Sequence, residues 1–150
     1  MLSYFGKTLL FVALLSLLVV GGELYVLKAE IQGAFDRSMN VAANPVVYEE
    51  TPDLQLQEGA AKARFMDYLE QNLLSGRIQN VSITSFEVVN VFKEEEVKVQ
   101  NPLNNQEVVF TVDRPSAVVL GVVEVDMMFL PNEIEIPILS VSSGFSPSSS

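Results

Sequence analysis

From Leu9 to Val20 the chain reads Leu-Leu-Phe-Val-Ala-Leu-Leu-Ser-Leu-Leu-Val-Val, with Ser16 its one polar interruption. Such a run has to leave water, and a helix is the local structure that bonds its whole backbone within itself. Counted from Thr8 to Gly22, the helix covers about 22 Å, short of the roughly 30 Å hydrocarbon layer of a bilayer. Extending it to Leu27 gives about 30 Å, but takes Glu23 inside, about 6 Å from the apolar end. That carboxylate must then lean toward the headgroups, be neutralised, or meet a compensating group.

Three readings of this stretch compete. A cleavable signal peptide fits the short basic lead ending at Lys7, the apolar region, and the small residues Val20 and Gly22 before a cut. A core helix of a soluble protein fits poorly, because twelve nearly unbroken apolar residues leave no polar face. An uncleaved anchor is favoured, since no turn signal follows the run. Beyond Glu23, the residues Leu24, Leu27, Ile31, Phe35, Met39 and Ala42 recur at three- and four-residue spacings, one face of a helix. Lys28, Glu30, Gln32, Asp36 and Arg37 lie mostly off that stripe. The helix is thus expected to run as one rod through residues 1–43, about 60 Å long from Ser3 to Ala43. Gly21-Gly22 is its weak point, open to a kink or to close helix–helix contact, with a mildly bent helix the blander alternative. Lys7 on the short side favours a cytoplasmic N-terminus and an external domain.

Asn44-Pro45 ends the rod, because proline disfavours helical geometry in the residue before it. Residues 44–57, with two prolines and Glu49-Glu50, read as an extended connector. A second helix is expected over Glu58–Leu74, with Ala61, Phe65, Leu69 or Tyr68, and Leu73 on its apolar stripe and Ser75-Gly76 as its stop. From Ile78 the period changes to two. Val81 and Ile83 alternate with Ser82 and Thr84, then the phase slips near Ser85 before Phe86 and Val88, which predicts a bulge.

Lys93-Glu94-Glu95-Glu96 reads as a charged turn or rim. Val97 and Val99 form a short strand, Asn101–Asn105 a loop, and Val108, Phe110 and Val112 the return. Next come Val119, Val123, Val125, Met127 and Phe129 on one face, with Glu124, Asp126 and Met128 opposite. Ile134, Ile136 and Ile138 alternate with Glu133, Glu135 and Pro137 after a Leu130-Pro-Asn132 turn. The expected head, residues 58–141, is therefore a small antiparallel sheet of about five strands with one wet, acidic face. The Ser/Gly/Pro-rich residues 142–150 read as a disordered tail. The fold class is α+β: a long helix, a short helix, then the sheet.

The 150 residues carry 19 acidic and 9 basic side chains, a formal charge of −10, and neither Cys nor His. That balance argues against nucleic acid, which needs a basic footprint, and against electrostatic adhesion to anionic lipid. Thiol nucleophiles, Cys/His metal sites and histidine acid–base catalysis are excluded. Glu94–Glu96 with Glu49, Glu50 and Asp53 lacks calcium-loop spacing and reads as solvated charge. The serines have no histidine base and no SxxK or GxSxG pattern, and no aromatic cleft accompanies the carboxylates as a glycosidase would need. Asn80-Val-Ser82 matches a glycosylation sequon inside a predicted strand. No enzyme, cofactor or small-molecule substrate is expected. Glu23 is the polar residue that stands out, either paired with a basic group of a neighbouring subunit or simply interfacial.

Leu9–Val20, then Glu23-Leu-Tyr25, then the amphipathic continuation to Asp36-Arg-Ser-Met-Asn-Val-Ala-Ala43 resemble type IV pilin-like proteins. The similarity is greatest to the TadE-like pseudopilins, whose layout the strands around Val123–Phe129 and Ile134–Val141 also fit. The resemblance covers mainly residues 8–43 and is one of pattern. The family's usual glutamate, five residues past a glycine-ended leader, has no counterpart, since Phe11 stands five residues past Gly6. The resemblance implies a minor pilin or pilus-assembly component that joins copies of itself or other pilin-like subunits. Glu23, Gly21, Gly22, Leu24, Leu27, Ile31 and Phe35 would then serve helix packing and assembly, against the chain's own sheet or against neighbouring rods. The alternatives are a monomeric membrane-anchored extracytoplasmic binding domain, or a secreted soluble domain after cleavage.

Overall fold

In a computed structural model of the chain, whose described residues are 2–43, 56–73, 76–90, 94–101, 104–112 and 115–142, one helix runs through the whole predicted span and stalk. This helix, α1 (Leu2–Ala42), passes through Gly21 and Gly22 without interruption. A Cβ added at either glycine would meet nothing within 4 Å, so neither is needed for a close approach within the chain. The helix that follows, α2 (Glu58–Asn72), buries Ala61, Phe65 and Leu69, the stripe its spacing predicts, and leaves Tyr68 exposed. The predicted connector falls mostly on residues 44–55, and all of the predicted 142–150 tail except Ser142 falls on 143–150, outside the described residues. Ser142 departs from the expected disorder: it is buried, its N–H donates to the Ala117 carbonyl at 2.9 Å and its hydroxyl accepts from the Ala117 N–H at 2.7 Å, which extends the pairing of the last strand with its neighbour.

Five strands follow: β1 (Ile78–Val89), β2 (Glu95–Gln100), β3 (Glu107–Val112), β4 (Ser116–Val125) and β5 (Ile134–Val141). They form two antiparallel sheets, a three-stranded one of order β1-β4-β5 and the hairpin β2-β3. The predicted phase slip is present, as the β1–β4 register shifts between Ile83 and Ser85. Glu95 and Glu96, expected in a charged turn, instead begin β2 with exposed side chains, and from Glu96 onward exposed Glu96, Lys98 and Gln100 alternate with Val97 and Val99. The turn between β2 and β3 places Asn105 at a φ of 53°, a left-handed conformation that asparagine tolerates better than most residues.

Helices α1 and α2 cover one face of the three-stranded sheet. Leu27, Ile31, Phe35 and Met39 of α1 share a core with Phe65 of α2, Phe86 of β1, Val119, Val123 and Val125 of β4, and Ile136 and Ile138 of β5. Phe65 stands between two other rings, with centroids 5.6 Å from Phe35 in an edge-on arrangement and 5.6 Å from Phe86. Three elements are thus joined through one aromatic side chain. Gly121 of β4 lets α1 come this close. A Cβ there would lie 3.2 Å from the Phe35 ring and 3.2 Å from the Ser82 carbonyl oxygen.

The opposite face of the sheet departs from the expected wet surface. Val118 and Leu120 are buried there with Val99 of the hairpin, and Val97, Phe110, Leu139 and Val141 pack around them. Acidic side chains remain at its margins, where Glu124 faces Glu135 across the β4–β5 ladder and exposed Glu87 of β1 pairs with Val118. Phe129 also departs from expectation. The strand ends at Val125, and the following turn carries Phe129 away from the core face and leaves it exposed on the surface of the head.

Polar contacts close the ends of the elements. The Arg64 guanidinium of α2 donates to the Ala42 carbonyl at 3.1 Å, satisfying an acceptor that the end of α1 leaves open. The Asn90 side chain accepts from the Leu56 N–H at 2.8 Å and donates to the Leu56 carbonyl at 3.1 Å, tying the approach to α2 onto the end of β1. Gln32 donates to the Leu139 carbonyl at 3.0 Å and Ser140 to Asp36, which fixes α1 against β5.

Candidate functional site

Along α1 the burial changes once. Every side chain from Ser3 to Val19 is exposed, whereas from Val20 onward one face enters the head. The bare part contains the Leu9–Val20 run, and α1 is long and apolar enough to cross a membrane. The stripe read from the sequence meets the chain's own head: Leu27, Ile31 and Phe35 are core residues and Leu24 packs at its edge. Lys28, Glu30, Asp36 and Arg37 remain exposed, as their positions off the stripe require.

The junction between bare rod and covered rod is built around Glu23. Its carboxylate pairs with the guanidinium of Arg77, a residue of the turn between α2 and β1. It also accepts a bond from the backbone N–H of Met128, in the turn after β4, at 3.3 Å. The Glu23 side chain is 12% exposed and that of Arg77 40%, so the pair is partly shielded from water. Neighbouring backbone supports it: the Asp126 N–H donates to the Arg77 carbonyl at 2.8 Å, and Gln79 donates to the Asp126 carboxylate at 2.8 Å. Three segments distant in sequence are therefore gathered on one carboxylate.

Arg77 and Met128 are the residues that reading the sequence missed. Long-range pairing leaves no local periodicity, so Arg77 carried no signal beyond its charge next to the Gly76 stop. The turn had one. Met127-Met128-Phe129-Leu130 is a run of four apolar residues, and such a run outside a strand is unusual unless it meets something apolar. Phe129 and Leu130 line an apolar groove together with Leu15, Val19 and Val20 of α1. Another groove, between α2 and β1, is lined by Leu69, Leu73 and Val81 with Asp67 and Glu70 at its rim.

The arrangement offers packing and charge compensation, and no acid–base pair or nucleophile is assembled at Glu23. Among the described residues no group of three or more Asp or Glu side chains gathers to hold a metal ion. Asn80 lies within β1, as its strand pattern predicts. No protein-family model, curated protein or solved structure matches this chain.

Proposed function

We propose that this chain is a non-enzymatic, membrane-anchored subunit of pilin-like type, a minor pilin or pilus-assembly component with its head outside the cytoplasm. One observation carries the reading. A single helix is bare and apolar along one half and is the central core element of a small α+β head along the other. The bare half is soluble in lipid as it stands. Withdrawn from lipid, it exposes Leu9, Leu10, Phe11, Leu14, Leu17 and Leu18, a surface that copies of the same helix or other pilin-like helices would cover. Assembly then exchanges lipid contact for helix–helix contact, and the heads lie on the outside of the polymer.

A second reading is favoured by the Glu23–Arg77 pair. A glutamate at the membrane edge invites a basic partner from a neighbouring subunit, but here the compensating charge comes from the same chain. That suits a monomeric, membrane-anchored domain that binds a partner through its head. Alkaline extraction of membranes together with negative-stain microscopy of the purified chain separates these readings. Filaments support the pilin-like subunit, and membrane-bound monomers support the anchored domain. Release into the soluble fraction with a mature N-terminus after Gly22 overturns both in favour of a secreted domain.

A further inference from the structure

We infer that the turn after β4, through Met128, Phe129 and Leu130, inserts into the lipid bilayer beside α1 and seats the head on the membrane surface. The inference rests on the membrane-anchored reading above and adds a second lipid contact to it. The side chains of Met128, Phe129 and Leu130 are 67%, 61% and 38% exposed, an apolar patch at the tip of a turn. Their position along the rod identifies what covers them.

Phe129 and Leu130 share a groove with Leu15, Val19 and Val20, residues that belong to the apolar run itself. A bilayer that covers the run through Val20 has its hydrocarbon boundary at or beyond Val20. Leu15 then lies about 7 to 8 Å inside that boundary, and the turn facing it lies inside as well. The depth matches the roughly 5–10 Å to which apolar interfacial segments bury themselves.

The charges fall on the other side of the same boundary. Glu23 lies about 4 to 5 Å beyond Val20 along the axis, at headgroup level, where its pairing with Arg77 leaves no isolated charge next to the hydrocarbon. The bond from the Met128 N–H to Glu23 holds the turn against the helix at this level. With a formal charge of −10, the chain has little electrostatic attraction to anionic lipid, so the seating is apolar in origin.

The natural chain has no cysteine, so single labels report without competition. Leu17→Cys, Met128→Cys and Gln106→Cys variants of the full chain would each carry an environment-sensitive fluorophore in phosphatidylcholine vesicles, with and without nitroxide-bearing acyl chains. Leu17 marks the span, and Gln106 lies exposed in the turn between β2 and β3. The expected result is nitroxide quenching at 17 and at 128, each at least about threefold stronger than at 106. Quenching at 17 with none at 128 overturns the insertion and leaves the anchor standing. A blue-shifted label at 128 that lipid nitroxide does not quench also overturns it, because a second copy of the chain then covers the turn. Absence of quenching at both 17 and 128 removes the anchored reading itself.

Discussion

Glu23 and Arg77, separated by 54 positions, form an ion pair where the bare helix enters the head. Because the pair joins α1 to the turn before β1, it couples the rod to the sheet. Glu23→Gln and Arg77→Gln are each expected to lower the stability of the full chain in micelles by about 1–2 kcal/mol, allowing for solvent at the half-exposed guanidinium. The double variant should lose less than the sum, which a double-mutant cycle on urea midpoints measures directly. Strict additivity would mean that the two side chains do not interact.

Leu27 and Ile31 sit inside the head core rather than on an open side of the rod. Leu27→Asp or Ile31→Asp places an unpaired carboxylate among apolar side chains, a change expected to cost more than about 4 kcal/mol and to unfold the head. Limited proteolysis would show rapid loss of the segment beyond Ala43. Exposed positions of the same helix serve as controls, and Lys28→Asp should leave the digestion pattern as it is.

Gly121 meets the Phe35 ring too closely to accept a side chain. Gly121→Val is expected to destabilise the full chain by about 1–3 kcal/mol through overpacking, and more if the β1–β4 register moves. The change should be read by thermal unfolding in micelles. Restoring space with Phe35→Leu on the Gly121→Val background should recover part of the loss, which simple loss of strand propensity would not.

The hairpin β2–β3 is held to the rest by the small cluster of Val99, Val118 and Leu120, whereas β1, β4 and β5 share the large core with both helices. Hydrogen exchange should therefore open the hairpin first, with amides of Val97 and Val109 exchanging well before those of Val119 and Val123. Val99→Ala should speed exchange in the hairpin and leave β4 nearly unchanged.

Local periodicity revealed the elements that obey it. The spacing of Leu27, Ile31, Phe35 and Met39 marked the buried face of α1, and the slip near Ser85 marked a shift present in the strand pairing. The reading failed where alternation was continued too far. Alternation carried on from Val125 puts Phe129 on a strand face, but the strand ends at Val125 and Phe129 lies in the turn that follows. Ala117-Val-Val-Leu-Gly-Val-Val123 contains no polar residue, which is the signature of a strand covered on both faces, whereas a one-faced alternation accounts only for its odd positions. The pairing of Glu23 with Arg77 left no trace, since a contact across 54 positions imposes no rule on either residue's neighbours.

The helix that is long and apolar enough to cross a membrane is also the middle of the head's core. Tension along its axis is therefore delivered to the head as a sideways slip of a packed face. Leu27, Ile31, Phe35 and Met39 resist it together, with Gln32 and Asp36 holding to β5. These contacts have to fail at once and not in succession, as they would if a strand were peeled from an edge. A head joined in this way bears pulling forces well for its size, and its grip would be lost in a single abrupt event.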